Sequence, residues 1–223
     1  MEWVTSAERS ALLLSLKVSA AAVLLLLPPT VALGWLLARR EFPGKGLVEG
    51  VCTLPLVLPP VVTGYLLLLL LGESTPLGAA LSRIGLPVAF TWRGAALACA
   101  VVGFPLMLRP IRLAVEAVDP ELEAAARTLG SGPLGVFFSI TLPLALPGVV
   151  TGVLLAFGAT ITFVGNMRGE TRTLPLALYT ELQTPGGEAG ALRLLVLSVL
   201  LAIAAVLAGE SLARRQRRRM DGA

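Results

Sequence analysis

Long runs of apolar residues constrain this chain most strongly. Several approach the length of about 20 residues that an α-helix needs to cross a bilayer, and they contain few charges. Only 14% of all residues are charged and 56% are hydrophobic, whereas soluble domains carry roughly 25% charged residues. The alternating polarity of a membrane β-barrel is not evident. The sequence therefore predicts an all-α, polytopic membrane protein.

About five transmembrane helices are expected. Their approximate limits are residues 18–37, 51–71, 94–108, 141–164 and 192–213. Prolines interrupt several of these runs, and a proline inside a helix removes a backbone hydrogen bond and kinks the helix. Pro55, Pro59 and Pro60 together favour a second span that bends around a translocation pathway. Ordinary packing of kinked helices is the alternative explanation.

The distribution of Lys and Arg predicts the orientation of the spans. Residues 38–46, residues 109–139 and the C-terminal tail hold eleven basic residues, and the remaining segments hold seven. The side with the excess is expected to be cytoplasmic, which places the C-terminus inside and, with five spans, the N-terminus outside. Arg39 and Arg40 follow the first apolar run in place of a cleavage site. We therefore expect a retained anchor and not a removed signal peptide.

Residues suited to catalysis or metal binding are scarce. The chain has no His, and its two cysteines, Cys52 and Cys99, lie in apolar runs, so we expect no metal site. No phosphate-binding loop of the G-x-x-x-x-G-K-[ST] type occurs. The net charge of +4 includes five arginines in the last ten residues, a cluster that fits a cytoplasmic anchor at the lipid bilayer and not nucleic-acid binding. We expect no enzymatic activity in this chain.

One polar segment between the third and fourth spans is clearly patterned. Asp119 and Pro120 favour a helix start, and Gly130 suits the left-handed residue that ends a helix, so a helix is predicted from Pro120 to Leu129. A helix of this length is marginal alone in water. It is expected to pack on its own spans, to lie on the lipid surface or to dock into a groove of a soluble partner. Its apolar residues share one face and are Leu122, Ala125, Ala126 and Leu129.

This segment resembles the coupling loop, or EAA loop, of ABC-importer permeases. Ala125-Ala126, then Gly130 and, after nine further residues, Ile140-x-Leu142-Pro143 follow its pattern. Glu123 departs from it by standing one place before the usual acidic position, a shift shared by the molybdate branch of the family. The resemblance implies a coupling loop over about residues 113–139. The residues it assigns to ATPase coupling are Leu122, Glu123, Ala125, Ala126, Leu129 and Gly130.

Further segments are similar to molybdate permeases of the ModB type, and the resemblance covers nearly the whole chain. They are LPLVLPPVVTGYLLL (residues 54–68), FPGK (42–45), FPLMLRPIRLA (104–114), GATITFVGN (158–166) and GETRTLPLALYTELQTPGGEAGA (169–191). The resemblance implies one transmembrane permease domain over residues 1–223 with the type I ABC importer permease fold. It places this domain in the bacterial cytoplasmic membrane, as a permease subunit for molybdate.

The same resemblance implies a set of partners. Two copies of this chain would form the pathway, two ATPase subunits would lie beneath them, and a periplasmic binding protein would deliver molybdate. ATP would be used by the ATPase, with no cofactor bound by this chain. An oxyanion could pass a cavity lined by hydroxyl and backbone N–H groups, although each threonine could equally bond its own helix. The pathway candidates are Pro59, Pro60, Thr63, Thr151, Thr160 and Thr162.

Three alternatives remain at the level of sequence. A sulfate or tungstate permease would carry a dianion of similar shape and charge. A secondary transporter is disfavoured because ionisable residues, the usual mark of ion-coupled transport, are nearly absent from the spans. A transport-impaired short form is the third, since about seven residues that the resemblance leads us to expect between Phe157 and Gly158 are missing.

Overall fold

The computed structural model describes residues 6–58, 60–161, 174–184 and 188–200, together with residues 203, 204 and 207. All regular structure in these residues is helical, which confirms the all-α prediction. The helices are α1 (Ser6–Arg39), α2 (Lys45–Val57), α3 (Pro60–Leu71), α4 (Pro76–Arg83), α5 (Trp92–Glu116), α6 (Pro120–Thr128), α7 (Pro133–Val136), α8 (Leu142–Ile161) and α9 (Leu174–Gln183). A π-helical turn, Phe137–Thr141, joins α7 to α8, and residues 188–200 are also helical.

Three described helical stretches are long and apolar enough to cross a membrane. They are Arg9–Arg39, Trp92–Glu116 and Pro133–Ala159, and a bent pair formed by α2 and α3 is a fourth candidate. These four correspond to the first four predicted spans. The predicted fifth span, residues 192–213, lies largely outside the described residues. The total of five spans and their orientation therefore remain predictions.

The limits of all four described spans differ from those predicted; the second begins at Lys45 and the fourth at Pro133, where residues 51 and 141 were expected. The first was expected to begin at residue 18, but α1 already begins at Ser6. Its early turns are held by packing, because Ala11 is buried against Ala177 and Leu194. The third span was expected to be short and to extend past Pro105; α5 does pass Pro105, and it also continues through Pro110 to Glu116.

The second span is sharply bent, as its prolines predict. The axes of Lys45–Val57 and Val62–Leu71 differ by 109°. Leu58 is extended, with ψ of 138°, because a following proline disfavours the helical conformation of the residue before it. Pro59 itself lies outside the described residues. Whether this bend surrounds a pathway remains a prediction.

Helices α1, α5 and α8 form the packed centre of the bundle. They contribute one shared cluster of buried residues, which includes Val18, Ala22, Cys99, Met107 and Ala156. Helices α1 and α5 run in the same direction, since Lys17 contacts Trp92 at one end and Gly34 contacts Ile111 near the other. Helix α8 runs against both.

Two glycines on α8 allow it to approach α5 closely. A Cβ on Gly148 would lie 2.2 Å from the Ala114 Cβ, and one on Gly152 would lie 2.8 Å from the Met107 carbonyl oxygen. This Gly-x-x-x-Gly spacing is typical of membrane helix interfaces, where small residues let backbones come together. The contact fixes α8 along α5 and so places its first residues beside the end of α1.

Candidate functional site

Helix α6 begins and ends where its sequence predicts, to within one residue. At its start, Asp119 Oδ1 accepts a hydrogen bond of 2.8 Å from the Glu121 N–H, which satisfies a donor that has no partner inside the helix. At its end, Gly130 adopts the left-handed conformation with φ of 88°, as predicted. The Ser131 N–H then donates to the Ala126 carbonyl at 3.1 Å. These local bonds define a short, rigid helix between α5 and α8.

The outer face of α6 carries most of the predicted apolar residues. Leu122 is 48% exposed and Leu129, which directly follows the helix, is 87% exposed. Ala125 is also exposed and Ala126 is partly buried. These side chains are therefore available at the surface of this chain, which is the arrangement that docking to a partner needs.

Glu123 points the other way and is buried against its own chain, with only 5% of its surface exposed. Its Oε1 accepts hydrogen bonds from Thr141 Oγ1 at 2.7 Å and from Arg39 Nε at 3.2 Å. Arg39 Nη2 lies 3.0 Å from the same oxygen and also donates to the Val118 carbonyl at 2.7 Å. We call Arg39, Glu123 and Thr141 the Glu123 cluster.

The Glu123 cluster was missed by sequence analysis, because helical spacing points only to the local pair of Glu123 with Arg127. That pair exists, but Arg127 Nη2 lies 3.4 Å from Glu123 Oε2 and its side chain is 58% exposed, so it contributes little. The Arg39 side chain is only 14% exposed. Because a buried carboxylate needs a paired charge and hydrogen bonds, Arg39 and Thr141 are its principal partners.

An open groove of about 630 Å³ lies beside the cluster. The Trp35 and Phe137 rings meet edge to face on its wall, with centroids 6.1 Å apart. Phe137 belongs to the π-helical turn, so the turn contacts α1 as well as carrying Thr141. The coupling segment is thus seated on the end of the bundle through both polar and apolar contacts.

The predicted pathway residues are found in different environments. Thr63 on α3 is 4% exposed, and its hydroxyl has no hydrogen-bond partner among the described residues. Thr151 instead donates to the Pro147 carbonyl of its own helix at 2.8 Å, which is the backbone alternative. Pro60 is the first residue of α3, and Thr160 lies in the last turn of α8. Pro59 and Thr162 lie outside the described residues.

The region that the sequence marks as shortened is a continuous helix. Helix α8 passes through Phe157 and Gly158 without a break and extends to Ile161. Gly158 has no neighbouring atom within 4 Å of a Cβ placed on it. Helix α8 is therefore regular at this point, and the effect of the shorter chain on transport stays a question for experiment.

The fold identifies the class of protein. The chain superimposes on a bacterial ABC transporter "involved in the import of the acidic polysaccharide alginate" with a TM-score of 0.72, covering 95% of this chain and 80% of that one at 20% identity. Together with its apolar helices, this gives the type I ABC importer permease fold to an integral membrane protein. Residues 30–218 match the family described as "Binding-protein-dependent transport system inner membrane component", and the chain belongs to this family.

Two molybdenum transport permeases in the family are similar to this chain over nearly their full length. The chain is 56% identical over 224 residues to "Molybdenum transport system permease protein ModB" of Escherichia coli K12, covering 97% of this chain and 98% of that protein. It is 48% identical to the protein of the same name in Haemophilus influenzae, covering 96% of each. Identity to "Sulfate transport system permease protein CysW" of Synechocystis is 34%, over 78% of this chain and 65% of that protein.

The length of the E. coli alignment bears on the shortened region. It spans 224 residues but only 97% of this 223-residue chain. The relative therefore contains several residues that have no counterpart here. By its family, the chain is a component of a membrane transport system, and the absence of enzymatic activity stays an expectation.

Proposed function

We propose that this chain is the membrane-spanning permease subunit of an ATP-driven molybdate importer in the bacterial cytoplasmic membrane. The observation that carries the proposal is 56% identity, over nearly the full length of both chains, to a molybdenum transport permease. Identity to a sulfate permease is much lower and covers less of that protein. Molybdate is therefore favoured over sulfate.

The assembly we propose contains two copies of this chain, two ATPase subunits and a periplasmic binding protein. ATP is bound and hydrolysed by the ATPase subunits, and this chain binds no cofactor. The exposed apolar face of α6 supports docking to an ATPase, because Leu122 and Leu129 would otherwise hold large apolar side chains in water. Within this docking surface Ala125 and Ala126 permit close approach, and Gly130 ends the helix without a side chain.

Transport follows from a rigid-body movement in this proposal. ATP binding closes the ATPase dimer, and the α6 helix of each copy moves with its ATPase subunit. The spans then change from inward-open to outward-open, accept the oxyanion from the binding protein, and reset after hydrolysis. Glu123 takes part by holding α6 on the bundle and not by contacting the ATPase, because its carboxylate faces Arg39 and Thr141.

Thr63 is the pathway residue that the geometry favours. A buried hydroxyl without a partner is costly, and a passing oxyanion offers it an acceptor. Pro59 and Pro60 support the pathway by creating the bend beside it, and Thr160 and Thr162 stay candidates only for their hydroxyl groups. Thr151 is the weakest candidate, since the backbone of its own helix already accepts its hydroxyl.

Molybdate uptake by proteoliposomes tests the proposal. The vesicles would contain this chain with its cognate ATPase, binding protein outside and ATP inside. We expect uptake that requires both ATP and the ATPase, and that excess sulfate does not suppress. Uptake without the ATPase would instead support a secondary transporter, and suppression by sulfate would support a sulfate permease.

A second preparation tests the short form. It would carry, between Phe157 and Gly158, the about seven residues that the resemblance leads us to expect there. If the natural chain assembles with its ATPase but does not transport, and the lengthened chain does, the natural chain is a transport-impaired form. We expect both chains to transport, because α8 is continuous through this point.

A further inference from the structure

Helix α6 is joined to the bundle by contacts between residues far apart in sequence. Within the chain it is flanked only by short connections, residues 117–119 and 129–132. The hydrogen bond from Arg39 to Glu123 spans 84 residues, and that from Thr141 to Glu123 spans 18. One carboxylate therefore connects three elements: the end of α1, the middle of α6 and the π-helical turn that leads into α8.

Apolar contacts at the same end link these elements to α5 as well. Val115 and Val118 are buried with Ala145 of α8, and Trp35 and Ala38 of α1 pack against them. Since α1, α5 and α8 also share the main core, α6 rests on a unit that is already packed as one body.

The bent pair of α2 and α3 is attached to this unit much more weakly. None of the α2 residues is buried. At the α6 end, α2 contacts α5 through an ion pair of 2.6 Å between Glu49 and Arg112, with side chains about one-third exposed. This pair joins α2 to the unit through polar side chains only, since α2 contributes no buried apolar residue. A displacement of α6 is therefore transmitted strongly to α1, α5 and α8, and only weakly to α2 and α3.

We infer that the Glu123 cluster positions α6 so that its displacement is transmitted to α1 and α8 as a single rigid unit. This inference rests on the proposed function, because it requires an ATPase that moves α6. Arg39 and Thr141 act as positioning residues: they contact neither ATP nor the transported oxyanion. Without the cluster, α6 would still present its apolar outer face to the ATPase. Its contact with the bundle would be weaker, however, so less of its movement would reach α1 and α8.

Two mild substitutions separate transmission from assembly. Glu123→Gln removes the charge at nearly constant shape, and Thr141→Val removes only the hydroxyl. We expect both variants to copurify with the ATPase and to hydrolyse ATP, while molybdate transported per ATP hydrolysed falls at least about fivefold, as for a typical coupling between sites. The matched control is Glu41→Gln, which breaks the exposed ion pair with Lys45 (2.6 Å) and should leave the ratio unchanged.

A double-substitution cycle adds a second criterion. Arg39→Gln and Glu123→Gln should each lower the amount of molybdate transported per ATP hydrolysed. The doubly substituted chain should transport as much per ATP as the poorer single variant, because the two residues act as one unit. Additive losses would overturn the inference. An unchanged ratio in Glu123→Gln and Thr141→Val would do so too, as would failure of both variants to assemble, which would show a role in folding alone.

A distance measurement keeps the inference separate from the choice of oxyanion. Spin labels would be placed at the exposed residues Leu36 on α1 and Glu121 on α6, with Cys52 and Cys99 replaced by Ser. We expect the distance between labels to stay constant on ATP binding to the complex, and to change in the Glu123→Gln variant. Equal behaviour in both would refute the inference. Absence of molybdate uptake alongside the expected distances would refute only the proposed substrate.

Discussion

Replacing Gly148 by Ala should force α8 away from α5. The added methyl group would lie 2.2 Å from the Ala114 Cβ and 2.5 Å from the Pro110 carbonyl oxygen. Carbon atoms attract best at about 3.5–4.0 Å, so the helices must separate locally by more than ~1 Å. Neither neighbour is the end of a flexible side chain, and the strain must therefore be taken up by the backbones.

Such overpacking typically destabilises a protein by about 1–3 kcal/mol. We expect Gly148→Ala to reach the upper end of this range, because the separation also weakens contacts along the whole α5–α8 interface. The measurement is thermal unfolding of the detergent-solubilised protein, with assembly on the ATPase as a second readout.

Gly158→Ala is the matched control on the same helix. A Cβ there would meet no atom within 4 Å, and alanine favours a helix over glycine by up to about 1 kcal/mol. The two variants should therefore shift stability in opposite directions. If Gly148→Ala unfolds at the same temperature as the natural chain, or higher, the close contact of α5 with α8 is refuted.

Substitutions at four further positions test other parts of the molecule. Gly130→Asp should abolish ATP-dependent uptake with membrane insertion intact, since it adds a charge to the docking surface. Its neutral control is Gly130→Asn, because Asn tolerates the left-handed conformation. Normal uptake by the Asp variant would contradict docking. Thr63→Val should lower uptake while stability stays equal or rises by about 1 kcal/mol; Thr151→Val should lower uptake less. Lys17→Gln should cost about 0.5–2 kcal/mol of stability, measured by thermal unfolding, because Lys17 Nζ lies 3.9 Å from the Trp92 ring centroid.

Features set by neighbouring residues were predictable from the sequence. The cap at Asp119, the left-handed Gly130 and the bend before Pro60 each depend on residues within a few positions, and all three are present. Membrane spans were predictable for a similar reason, since apolar length is a local property.

Features that depend on tertiary contacts were not predictable. The partners of Glu123 are 84 and 18 residues away, and helical periodicity identifies only neighbours three or four positions apart. The start of α1 was missed because polar residues interrupt its first turns, where packing of Ala11 supplies the stability. The spacing of Gly148 and Gly152 was visible, but nothing in the sequence shows that α5 is the helix they contact.

The length of α1 sets a preferred bilayer thickness. Lys17 and Arg39 are 22 residues apart in one helix, a rise of about 33 Å, close to the ~30 Å hydrocarbon layer of a typical membrane. In α5, Arg93 and Arg109 are separated by 16 residues, or about 24 Å. Lipids with much longer acyl chains would draw these charges into the hydrocarbon, and much shorter ones would expose apolar surface to water. Arg39 is also the α1 residue of the Glu123 cluster. A mismatch between α1 and the bilayer would therefore act directly on the contact that holds α6 on the bundle.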